Sequence, residues 1–147
     1  MFKTSHEDPN ISLTSSYLDL APLYGSSQKE QDSIRTFIDG KLKPDCFCEE
    51  RVLGFPPGVS VFLVCFNRFH NYMVGEIAAI NEGGRFTVPT IASIERKMPG
   101  ADPAKIKAAL EKAVAKRDND LFQTARLYFL LCLSHVGLPA DYISILS

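Results

Sequence analysis

Residues 59–80 constrain this chain more than any other segment, because apolar side chains nearly fill the circumference of the helix they would make. A helix of that kind is expected to be buried on most sides inside a larger helical protein. Its strongly apolar run, residues 61–66, is far shorter than the about 20 residues a bilayer span takes. The helix is the expected structural centre. It also carries Asn67, Arg68, His70 and Asn71. Charged and polar groups on such a surface are costly unless hydrogen-bonded, so a buried network through Arg68, His70 and Asn71 is expected.

Punctuation sets the limits of this and the neighbouring elements. Ahead of it, Gly54-Phe55-Pro56-Pro57-Gly58 reads as loop, and Gly83-Gly84 breaks the chain behind it. Residues 1–27 read as loop with one helical turn near residues 18–24. Ser26 or Ser27 is placed to cap a helix over residues 28–37, with Glu30 supplying negative charge in its first turn. Asp39-Gly40 then stops it. Asp102 caps, and Pro103 opens, an amphipathic helix over residues 102–116 with Ile106, Leu110, Ala113 and Val114 as its stripe. Residues 118–120 separate it from an apolar helix over residues 121–133, which stops near Gly137 and Pro139. The pattern predicts a mainly α fold, one domain with long loops, and no strands.

Composition excludes several functions. Sixteen basic and 17 acidic residues in 147 leave no long-range field to attract nucleic acid or an anionic membrane. Hydrophobic residues make up 46% of the chain, enough to drive burial of a core. Residues 1–11 resemble neither a signal peptide nor a basic transit segment. With free cysteines inside apolar runs, the chain reads as a soluble protein of a reducing compartment. His6, His70 and His135 lack a second ligand at a metal-binding spacing. Cys46-Phe47-Cys48 has the wrong spacing for a zinc knuckle or a redox Cys-x-x-Cys pair, and Gly83-Gly84 lacks the third glycine and preceding strand of a dinucleotide fingerprint. Structural roles are expected for all of them.

Four segments in order do carry a functional signal: Thr14-Ser-Ser-Tyr-Leu-Asp-Leu-Ala-Pro-Leu-Tyr-Gly25, Arg35-Thr-Phe-Ile-Asp-Gly-Lys-Leu42, Asn67-Arg-Phe-His-Asn71 and Asp120-Leu-Phe-Gln-Thr-Ala-Arg126. Their wording and spacing resemble the animal-type haem peroxidase and cyclooxygenase superfamily, in its fungal branch of linoleate diol synthases and psi-factor-producing oxygenases. The resemblance covers residues 2–128 and implies a partial helical haem-peroxidase-like domain over residues 1–133, followed by a divergent tail over residues 134–147.

Members of that family hold haem between two histidines and use a tyrosyl radical to start the oxygenation of linoleate. By resemblance, the distal histidine belongs just ahead of Met1-Phe2-Lys3-Thr4 and the proximal Tyr-x-x-His well after Arg126, so this chain is expected to lack both and not to retain haem by itself. Ser15, Tyr17 and Asp19 fall where related peroxidases wrap calcium, with Ala21 where a hydroxyl ligand is usual. A degenerate calcium loop is the implication, since such an ion needs six or more oxygens. Val52 and Phe55 stand near the places where mammalian peroxidases carry a haem-linked arginine and glutamate, so covalent haem attachment is not expected.

The resemblance thus implies part of a haem-dependent dioxygenase acting on linoleate-type unsaturated fatty acids, cytoplasmic or peripheral to lipid surfaces. In it, the helices bearing Arg68 and His70, and Gln123 and Arg126, serve as cavity wall. The other reading is a non-catalytic helical fragment or interaction module. Either way, the helix over residues 59–80 is expected to expose apolar surface prone to self-association.

Overall fold

The computed structural model describes residues 5, 7–11 and 20–137, with side chains as far as residue 132. Among the described residues five α-helices follow one another: α1 (Ala21–Tyr24), α2 (Gln28–Ile34), α3 (Pro57–Ile80), α4 (Ile91–Lys97) and α5 (Pro103–Gly137). Short 3-10 turns occupy Glu50–Gly54 and Glu82–Gly84. Among the described residues the one β feature is an isolated antiparallel bridge between Arg35 and Leu42. The mainly α expectation therefore holds.

Ser27 caps α2 in a capping box: its side chain accepts from the Glu30 N–H while the Glu30 carboxylate reaches back to the Ser27 N–H. The helix ends at Ile34, three residues short of the expected limit. Arg35 is extended and Phe37 is left-handed (φ 58°), because Arg35 turns inward to an ion pair on α5 and leaves Phe37 and Ile38 at the surface.

Helix α3 begins at Pro57, which needs no N–H partner in a first turn, rather than at residue 59. It buries one stripe: Leu63, Asn67, His70, Val74 and Ile77, stepping by four and three. The expected burial on most sides is not seen among the described residues. Val61, Phe62, Tyr72 and Ile80 on its other faces are 58, 66, 60 and 72% exposed. At about 1.5–3 kcal/mol for each fully covered apolar side chain, that is substantial unused stabilisation.

Helix α4 was not anticipated, although Thr90 and Ser93 make a reciprocal capping box at its start. Helix α5 runs unbroken over 35 residues, where two helices separated at residues 118–120 were expected. Asp118 does not act as a breaker because its carboxylate is taken by Arg35 and Gly40, leaving the helical backbone without a competitor.

Helices α3 and α5 pack antiparallel. Phe66 meets Phe129 at 5.3 Å between ring centroids, and His70 meets Phe122 at 5.3 Å. One core cluster joins Leu23, Tyr24, Ile34, Leu42, Val52 and Leu63 to Phe122 and Phe129. A second joins Val74, Ile77 and Phe86 to Leu121 and Ala125. Phe86 is held by its backbone: its N–H donates to Asn81 Oδ1 (2.7 Å) and its carbonyl accepts from Arg117 Nε (2.7 Å). No helix among the described residues is long and apolar enough to cross a membrane.

Candidate functional site

Residues 35–42 form a tight loop that carries backbone polar groups into the interface of α3 and α5. Thr36 N–H donates to the Lys41 carbonyl at 3.0 Å, and Asp39 and Gly40 both take positive φ. This turns the two polar groups of Gly40 in opposite directions. Its N–H donates to Asp118 Oδ1 on α5 (2.5 Å), and its carbonyl receives His70 Nε2 on α3 (3.1 Å). A carbonyl only accepts, so Nε2 carries the imidazole proton and Nδ1 accepts from the Tyr24 hydroxyl at 2.8 Å. Burial drives the His70 pKa down to about 4, opposed by the Gly40 carbonyl and helped by nearby Arg35. Burial likewise raises the Tyr24 phenol, against the pull of Arg126, whose guanidinium lies 5.2 Å over the Tyr24 ring. Both groups are neutral near pH 7.

Arg35 completes the lock. It pairs with Asp118 at 2.6 Å, donates to Asn119 Oδ1 at 3.1 Å and stacks 4.2 Å over the Phe122 ring. Asn71 brackets Leu42 through its N–H (2.8 Å) and carbonyl (3.1 Å), while Asn67 donates to the carbonyls of Lys43 and Cys46. The expected network on α3 thus exists with one change of membership. Arg68 lies at the surface in a two-bond pair with Asp45 (2.7 and 2.8 Å), and Asn67 takes the buried place. The reason is rotational: residue 67 belongs to the 63-67-70-74-77 stripe, and residue 68 stands about 100° away from it.

Haem iron takes an axial nitrogen or thiolate. His70 does not fit that role, because both ring nitrogens are committed inside the core and freeing either would break the joint between α1, α3 and the 35–42 loop. Cys46 does not fit it either. Burial raises the pKa of its thiol, which donates to the Lys43 carbonyl. Among the described residues no cluster of three or more His, Cys, Asp or Glu is arranged to hold a metal. His6 and the calcium-loop candidates Ser15, Tyr17 and Asp19 lie outside the described residues, as does the side chain of His135.

A cleft of about 840 Å³ opens beside this lock, between the second half of α3 and the middle of α5. Met73, Ile77, Ile80, Phe86, Leu127, Tyr128 and Leu131 supply apolar wall; Glu76, Glu82, Arg85 and Asp120 stand along it. No signal in the linear sequence marked it, because its two walls come from segments some 40 positions apart. Of the two residues that marked this helix as cavity wall, Gln123 lies on the cleft and Arg126 packs over the Tyr24 ring.

No protein-family profile and no solved structure matches the chain. Curated sequences do. The chain is 61% identical over 127 residues to psi-producing oxygenase A of Aspergillus fumigatus and 54% identical over 127 residues to that of Emericella nidulans, each match covering 86% of this chain and 10% of the relative. It is 51% identical over 144 residues to the 7,8-linoleate diol synthase of Pyricularia oryzae, covering 97% of this chain and 11% of that protein. The chain therefore spans about a tenth of the length of the relatives it matches. At this identity over nearly all its residues, it belongs, as the counterpart of one such span, to the fungal family of psi-producing oxygenases and linoleate diol synthases.

Proposed function

We propose that this chain is a scaffold segment of a haem-dependent enzyme that oxygenates linoleate-type fatty acids, and that it does not itself carry the redox centre. The carrying observation is the Tyr24–His70–Gly40 lock, which uses both nitrogens of the one histidine with a described side chain. Identity of 51–61% to named oxygenases and diol synthases supports the reaction class. In this reading the 35–42 loop, α3 and α5 are framework for residues supplied by the rest of the protein, and the isolated segment is non-catalytic.

Two measurements test this. A pyridine haemochrome assay on the purified chain after incubation with haemin is expected to show no stoichiometric haem. A chimaera carrying this chain's residues in place of the matching 127-residue span of the Aspergillus fumigatus protein is expected to retain haem and to oxygenate linoleate. Stoichiometric, histidine-ligated haem in the isolated chain would overturn the assignment, as would a folded chimaera that has lost haem or turnover.

A further inference from the structure

Met73, Glu76 and Ile80 stand on α3 beside its buried stripe, and Asp120, Thr124, Leu127 and Leu131 form the facing row on α5. Both rows step by three and four residues, the spacing with which a helix meets a packed neighbour. Between them the cleft runs for roughly 16 Å along α5, or about three helical turns. Its floor is built: Ile77 and Phe86 are buried. On its walls Ile80, Leu127, Tyr128 and Leu131 remain 72, 58, 47 and 48% exposed.

Charge narrows the occupant. Glu76, Glu82 and Asp120 line the cleft against Arg85 as the cation among the described lining residues, and Arg85 is drawn over the Phe86 ring at 5.3 Å. A fatty-acid carboxylate entering here would meet a majority of like charges, whereas a basic group would be favoured. Length names the source: about nine-tenths of the related proteins lies outside the matched span, and protein interiors are close-packed. We propose that the α3/α5 cleft seats a third, amphipathic helix, an aliphatic stripe flanked by Lys or Arg, contributed by the remainder of the longer polypeptide. The inference rests on the scaffold reading and specifies what covers the scaffold.

Peptides of about 20 residues, long enough to form helix, tiled across the Aspergillus fumigatus psi-producing oxygenase A and titrated against the full chain by fluorescence anisotropy, test the proposal. The expected result is one-to-one binding of a peptide from outside the matched span that has Leu or Ile at three-four spacing and basic flanks. Binding should weaken about tenfold in Glu76→Lys/Glu82→Lys, as loss of charge complementarity predicts, and vanish in Leu127→Asp. All three substituted side chains are exposed, and unchanged circular dichroism verifies folding.

Four outcomes overturn it: no tiled peptide binds the folded chain; linoleate binds and displaces the peptide; the chain forms a dimer that Leu127→Asp dissolves; or peptide binds only after residues 138–147 are removed. The chimaera can be active while every peptide fails, so failure here is distinguishable from failure of the scaffold assignment.

Discussion

The hydroxyl of Tyr24 donates to Nδ1 of His70 across 2.8 Å, joining a four-residue helix to the middle of α3. With Nε2 held by the Gly40 carbonyl, the imidazole is a neutral two-sided connector. Protonation at Nδ1 would place a charge in the buried joint and force the Tyr24 hydroxyl to turn from donor to acceptor.

Acid sensitivity follows. The His70 pKa is held at about 4 in the fold against an ordinary 6.5, so between those values the unfolded chain binds a proton that the folded chain refuses. The lock's contribution is complete above pH 6.5 and is lost as pH falls towards 4, by on the order of 3 kcal/mol. Urea midpoints measured from pH 7 to 4 should fall accordingly, and His70→Gln should flatten that part of the profile while lowering stability at pH 7. An equally steep fall in the variant would remove His70 as the cause.

Asp118 is the acceptor on which the 35–42 loop closes. Asp118→Ala strands the Arg35 guanidinium, which is 4% exposed, and removes the acceptor of the Gly40 N–H; a loss of about 3–5 kcal/mol is expected from breaking a buried pair on one side. Arg35→Met combined with Asp118→Leu should be less damaging than Asp118→Ala alone, because no charge is left buried. Equilibrium urea unfolding of the two variants beside the unsubstituted chain measures the order.

Gly40 and Gly83 separate two costs of a side chain. Both have positive φ, but a Cβ on Gly40 would lie 2.7 Å from Leu121 Cβ and from the Phe122 backbone nitrogen, while one on Gly83 meets nothing within 4 Å. Gly83→Ala should therefore cost only the left-handed conformation, about 1 kcal/mol. Gly40→Ala should cost about 3 kcal/mol or more, since the helix backbone cannot yield and the loop must lift from α5. Equal shifts in thermal midpoint would show that contact with α5 does not limit this position.

Local features were readable where local physics controls them. Ser27 with Glu30, Pro103 at a first turn and the apolar density of α3 mark helices without help from distant residues. The Thr90–Ser93 box was equally local and equally available. The break expected at residues 118–120 failed for a different reason. Asp and Asn interrupt helices by competing for nearby backbone, and here a guanidinium 83 positions earlier removes the competitor.

The amino-acid order alone established a mainly helical chain, the starts of α2, α3 and α5 to within two residues, and kinship to a fungal oxygenase family, because capping, periodicity and residue identity are properties of neighbours in sequence. Only the tertiary structure decided that Asn67 rather than Arg68 turns inward, that His70 is spent on Tyr24 and Gly40, and that α3 and α5 leave an acidic, apolar cleft between them. Those outcomes depend on which helix face meets which partner. That choice is made by burial and charge pairing across dozens of intervening residues, where spacing along the chain carries no information.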